Sequence, residues 1–449
     1  MRPRASFVLI LVAAAQFWSP AVAGPQPPPT NILYGYLATN RTLTLGSPGP
    51  VYYVVGDYIV NSPATLTIEP GVRVVFSANR DTLGGGSYPT MSELIVNGSL
   101  VADASFGDSI RFVSTENGTG DWGRIYLGVG GSHIVRRATV SGAAGGIDCR
   151  GALTISDVLL GNTGSSGTAL FANGSTAAAR LTLVSSGAGT GAQLEGSGTA
   201  SDLSISGFNL GMSVGGSMAA LRVRVAQCKN GIFAYGSSAN TIRECSLVGT
   251  GRGSGGTGIR LADAASTAAS DSTYPMPTIV TGFTKGASLV SGTATHLLIF
   301  DNGYGIVDEP SPYYSYTAAV NYCTVARNDH GITLTGNYNY SMRVYNSIVA
   351  MNAMEGVFVY GSSPSVNYVD SWSNGAGNFS VGGSGAGPQC SSYNPFFENP
   401  GGNDFHLASG SIFKAWGPWG AEIGAYGPGP GSPVPASNMT WGRLKARYR

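Results

Sequence analysis

A glycine returns through this chain at a near-constant interval. It falls at Gly146, Gly167, Gly191, Gly211, Gly231, Gly258, Gly286, Gly305, Gly331 and Gly356, in steps of 19 to 28 residues. A second column shares the period without using glycine: Val158, Val184, Ile205, Ala226, Leu247, Ile299, Val325 and Ile348. Its one long step, Leu247 to Ile299, is two periods, with a missing member near Thr278–Thr281. Each unit holds two or three β-branched runs too short to bury a face alone, so neighbouring units must stack to make a core. Strands stacked at about 4.8 Å bond to the turns above and below and line up their apolar side chains. Asn and Gly at the corners tolerate the positive φ of a tight turn, and stacked Asn side chains bond along the corner. The expected fold is all-β, a right-handed parallel β-helix, a single-stranded solenoid of roughly a dozen rungs. The Leu-x-x-Leu-x-Leu frame of a leucine-rich horseshoe and the Trp-Asp signals of a propeller are both absent.

Composition agrees. Charged residues are 11% of the chain against about 25% in an average soluble protein. A net charge of +1 supplies no field for nucleic acid, which is set aside as a partner. Five cysteines with no CxxC spacing read as small buried residues of the solenoid core.

The ends divide the chain further. Arg2 and Arg4, the apolar run 7–18 and Ala21-Val22-Ala23 form a three-part export signal. Residues 1–23 are therefore expected to be a signal peptide. Residues 24–62 read as an N-terminal lead-in and cap, 63–380 as the β-helix, 381–427 as its C-terminal cap, and 428–449 as a Gly/Pro linker and basic tail. The mature chain is expected to hold no transmembrane segment and to be secreted, extracellular, at the cell surface or periplasmic.

Three segments carry a resemblance. Leu66-Thr-Ile-Glu-Pro-Gly-Val72 opens the helix, and Asn328-Asp-His-Gly-Ile332 and Tyr345-Asn-Ser-Ile-Val349 repeat within it. Asn394-Pro-Phe-Phe-Glu398, Asn403-Asp-Phe-His-Leu407 and Glu422-Ile-Gly-Ala-Tyr426 end it, linked by an atypical Gly410-Ser-Ile-Phe-Lys-Ala-Trp-Gly417. The chain resembles the secreted bacterial right-handed parallel β-helix repeat proteins of pectate-lyase-like fold. That resemblance implies a fold and leaves the activity open, because the fold carries enzymes, adhesins and structural rods. Of the polygalacturonase motifs, only Asp329-His330-Gly331 approaches one, and no Asp-Asp pair occurs.

One stretch stands out as a substrate-binding candidate. The residue before the column glycine is Tyr304, then His330, then Glu355 on successive rungs, with Asp329 beside His330 and Trp372 one rung later. Tyr-rich insertions at 313–316 and 338–340 flank it. Flat aromatic faces beside carboxylates suit sugars, whose apolar faces stack while their hydroxyls bond at the edge. No catalytic set is assigned, no cofactor is expected, and Asn328-Asp329-His330 offers too few donors for a calcium or other metal site. The expected function is glycan binding or adhesion. The alternatives are a polysaccharide lyase or glycoside hydrolase acting around Tyr304, Asp329, His330 and Glu355, and a purely structural rod.

Overall fold

A computed structural model of the chain describes residues 31–427, apart from 47–48, 162, 165–166, 188, 237–239, 263–266, 269–275, 310–316, 337–340, 362 and 384. The signal segment, the tyrosine insertions and the tail 428–449 lie outside the described residues.

From Asn31 onward the chain is a parallel β-solenoid. Each turn lays down three strands, as in Leu159–Gly161, Thr168–Ala172 and Ser175–Ala179, which we call the first, second and third faces. Strands of each face pair in parallel with their equivalents in the neighbouring turns. The third face is a 14-stranded sheet from Arg41–Leu43 to Ser363–Asn367. The other two faces merge into one 28-stranded sheet because the single strand Val51–Val60 rounds the corner between them. Fourteen turns at about 4.8 Å make a rod of roughly 65 Å. Residues 32–43 of the lead-in are themselves the first turn, since Ile32–Leu37 pairs with Val51–Val60 and Arg41–Leu43 with Thr65–Ile68.

The interior explains the glycines. The column is Gly191, Gly211, Gly231, Gly258, Gly286, Gly305, Gly331 and Gly356, with Ala169 rather than Gly167 above it. Among these positions space, not φ, selects glycine. A Cβ at Gly305 would sit 2.3 Å from Val325 Cγ1, and one at Gly331 would sit 2.1 Å from the Gly356 carbonyl oxygen. The branched aliphatic partners on the first face form the true second column: Leu160, Leu183, Ile205, Val225, Leu247, Val280, Ile299, Val325 and Val349. Val184, Ala226 and Ile348 stand one residue outside it, Val158 stands two residues before Leu160, and in a strand a one-residue slip turns the side chain to the other face.

The positive φ values lie elsewhere. At the corner from third to first face a single left-handed residue makes the turn: Arg137, Asp157, Arg180, Asp202, Arg222, Glu244, His296, Tyr322, Asn346 and Tyr368, with φ between 49° and 58°. Such a backbone costs a non-glycine residue on the order of 1–2 kcal/mol, and stacking between turns offsets it. Arg180 grips Asp157 with two bonds of 2.6 Å, Arg222 grips Asp202 with bonds of 2.6 and 2.8 Å, and the His296 and Tyr322 rings stack at 5.4 Å. The arginine bonds hold the Asp157 and Asp202 carboxyls below their ordinary range.

At the corner from first to second face the interior position passes from Phe208, Cys228 and Phe283 to a ladder of asparagines. Asn302, Asn328, Asn352 and Asn374 each donate from Nδ2 to the Oδ1 of the next, at 2.9 to 3.1 Å, ending on Asn378. Each Oδ1 also accepts the backbone N–H of the preceding ladder residue.

Four of the five thiols are buried in the core and none is in a disulfide. Burial pushes the Cys149 thiol up to about 11 and those of Cys245 and Cys323 up to about 12. We expect a thiol reagent at pH 8 to label only Cys390 in the folded chain, and all five cysteines after denaturation, because only the thiolate reacts. Rapid labelling of Cys245 or Cys323 in the native state would contradict this packing.

The C-terminal segment does not merely close the end. Residues 387–391 bond along the last turn, at Val366 and Val369. Beyond them the chain folds back along the outside of the first face. Phe397, Phe405, Leu407, Phe413, Ile423 and Ala425 pack on Leu298, Phe300, Ala326, Ile348 and Ala350. Among the described residues no helix is long and apolar enough to cross a membrane.

Candidate functional site

The second face carries the site. Along its strands the first residue points outward just before the column glycine, and the fourth residue points outward again. The first positions stack as Thr257, Lys285, Tyr304 and His330 in direct strand register, and His330 Nδ1 lies 2.9 Å from Glu355 Oε1 on the following turn. The Tyr304 and His330 rings are stacked 4.4 Å apart and 7° from parallel. Burial raises the Glu355 carboxyl, but its own backbone N–H and His330 outweigh this and leave it below its ordinary value.

Beside that stack, one turn earlier, lies a trough of about 350 Å³. Phe233, Ile232, Leu210 and Thr257 line it, and Arg260, Lys285 and Glu309 form its charged rim. The Arg260 guanidinium lies 5.1 Å from the Phe233 ring centre, within reach of a cation–π contact. Glu309 accepts from Lys285 Nζ at 2.6 Å and from Arg260 Nε at 3.0 Å. Burial acts to raise its carboxyl, and the two cations overcome that to hold it low. Further back, Tyr235 packs 5.3 Å from Phe233 and donates to Glu195 at 2.7 Å. Because Lys285 belongs both to the trough and to the Tyr304 column, the two form one continuous strip.

The structure thus brings Tyr304, His330 and Glu355 together, as their spacing predicts. Asp329 is not aimed at them. It accepts from Arg252 at 2.9 Å, in a corner network where Arg252 and Arg327 share Asp301. Trp372 is on the first face, half-buried under the fold-back segment with Ile348 and Phe413. Asn328 spends its amide inside the ladder, so Asn328, Asp329 and His330 diverge rather than converge on a cation. Among the described residues no group of three or more metal-ligating side chains gathers.

Sequence reasoning missed Phe233, Arg260, Lys285 and Glu309. Lys285 precedes Gly286 as Tyr304 precedes Gly305, so the rule that found the tyrosine would have found the lysine. Phe233 and Arg260 sit two residues after their column glycines, at the other outward position.

Fold and strip together define the class: an all-β parallel solenoid with one aromatic and charged outer strip. No family model matches the chain, and no curated protein matches it. Among solved structures, the catalytic domain of a GH87 alpha-1,3-glucanase in complex with tetrasaccharides is similar at 12% identity. That match covers 83% of this chain and 70% of the other, with a TM-score of 0.29, and it transfers no residue.

Proposed function

We propose that the mature chain is an exported glycan-binding rod that holds saccharide along the second face, from Phe233 to Glu355. The observation that carries the reading is the continuity of the Phe233 trough with the coplanar Tyr304–His330 stack through Lys285. Flat rings supply stacking surface for pyranose faces, and Arg260, Lys285 and Glu309 supply hydroxyl partners at the edge. Turns about 4.8 Å apart repeat these contacts along the rod, which suits a linear polymer. The three-part signal at residues 2–23 supports export.

The carboxylates favour binding over hydrolysis. Glycoside hydrolysis needs one carboxyl kept protonated near neutral pH beside a second that is ionised. On this strip Lys285 and Arg260 hold Glu309 below its ordinary value, and the Glu355 backbone N–H and the bond to His330 do the same for Glu355.

A panel of purified polysaccharides, scored for retention and for release of reducing or unsaturated ends, tests the reading. We expect retention without release. Tyr304→Ala and Phe233→Ala should each weaken retention about tenfold, the loss of roughly 1.4 kcal/mol of stacking. Chain cleavage that disappears in Glu355→Gln would overturn the reading in favour of an enzyme.

A further inference from the structure

Far from that strip, on the outside of the first face near the start of the rod, three arginines border one cavity of about 630 Å³. Arg73 and Arg111 occupy directly paired positions on neighbouring parallel strands. Arg137 is the left-handed corner residue of the next turn, with φ of 50°. Leu45, Pro50 and Val51 form the apolar part of the lining, and Ser109 contributes a hydroxyl.

Their electrostatics differ from those of the ion-paired arginines of the rod. Arg180 has Asp157, Arg222 has Asp202, Arg136 has Asp103, and Arg260 has Glu309. Among the described residues no carboxylate lies within ion-pair distance of Arg73, Arg111 or Arg137. Asp108 lines the cavity, so the lining carries three positive charges against one negative. Asp157 feels Arg137 at longer range but is held by Arg180. Like charges directly opposite on adjacent strands destabilise a sheet, and Arg73 and Arg111 stand in that relation. An arrangement that opposes folding and leaves three guanidinium forks facing one cavity is suited to an anion.

We propose that Arg73, Arg111 and Arg137 form a binding site for a tetrahedral oxyanion, a phosphate or sulfate group. The planar guanidinium fork matches two oxygens of such a group at once, and three forks on successive turns can surround it. Leu45 and Val51 give an apolar wall for the carrier of the group, and Ser109 and Asp108 give hydroxyl partners. The site shares no residue with the second-face strip and does not depend on it.

The test uses the full mature chain with inorganic phosphate, sodium sulfate, dextran sulfate and uncharged dextran, read by titration calorimetry and by thermal shift. Dextran sulfate or inorganic phosphate is expected to bind and raise Tm, less so as salt rises, while uncharged dextran does not bind at this site. Arg73→Ala and Arg111→Ala should each weaken binding about tenfold or more, and Arg343→Ala, exposed on the third face, should not. Arg111→Lys keeps the charge and loses the fork, so it should bind weakly while folding normally. Without anion, the Arg111→Ala chain should melt no lower than the unaltered one. Binding of phosphate but not of dextran sulfate would assign the site to a free small anion. Tyr304→Ala should leave anion binding unchanged, which separates this site from the glycan strip. Undiminished dextran sulfate binding by the Arg73→Ala/Arg111→Ala double variant, or no binding of any of the three anions, would overturn the proposal.

Discussion

Asn328→Ala is expected to lower the stability of the folded chain by about 3 kcal/mol, among the largest effects of any polar substitution in the rod. Asn328 Oδ1 accepts the Asn302 backbone N–H at 2.9 Å, in a buried corner that water does not reach. Its Nδ2 donates to Asn352 and to the carbonyls of Ile299 and Ala326. Alanine leaves a buried N–H without an acceptor and opens a void one amide wide, and the two penalties add. Asn374 is only half-buried at the last rungs, so Asn374→Ala should cost roughly half as much. Midpoints of urea unfolding at unchanged slope would measure both. Equal losses at the two positions would mean that burial of the ladder is not what stabilises it.

The second large effect concerns the fold-back segment. A chain ending at Tyr393 is expected to keep the solenoid yet self-associate and bind an apolar dye, because Leu298, Phe300, Ile348 and Ala350 lose their cover. Within the full chain, Phe413→Ala should cost about 3–5 kcal/mol, the usual range for emptying a buried aromatic site. The junction is sensitive for another reason. Asp370 is buried against Ser391 and the Tyr393 N–H, and that burial pushes its carboxyl up to about 7. A monomeric, dye-silent truncated chain would show that the first face needs no cover.

The solenoid was readable because its strongest constraint is written in one letter. Space for no Cβ beside a branched aliphatic neighbour recurs turn after turn from Gly191 to Gly356, and eight successive turns meet it with glycine. The Asn corner was readable for the same reason, since an amide that bonds both to the next amide and to a backbone N–H has few substitutes. Register within a strand was less legible. Most first-face strands are three residues long, and pairs such as Leu183-Val184 put apolar residues on both sides, so the eye can take the outward one. The fold-back segment was hidden differently. Its Phe405, Leu407 and Phe413 read as the closing of an end. The sign of its true place is in the first face itself, whose outward column passes from Thr182, Ser204, Arg224 and Ser246 to Ile279, Leu298, Thr324 and Ile348, three of the last four apolar. Apolar residues on both sides of a strand announce a second layer, and Trp372 lies on the first face beneath that layer rather than on the second-face strip.

The hydrogen bonds between turns lie along the axis of the rod. A protein anchored at one end and gripping a surface at the other would therefore bear load directly on those bonds, and they would part in sequence rather than all at once. Each turn that opened would release a strand of about 22 residues, which can extend to roughly 75 Å from a folded rise of about 4.8 Å. Under tension the molecule would yield in steps and lengthen many-fold before its attachment was lost.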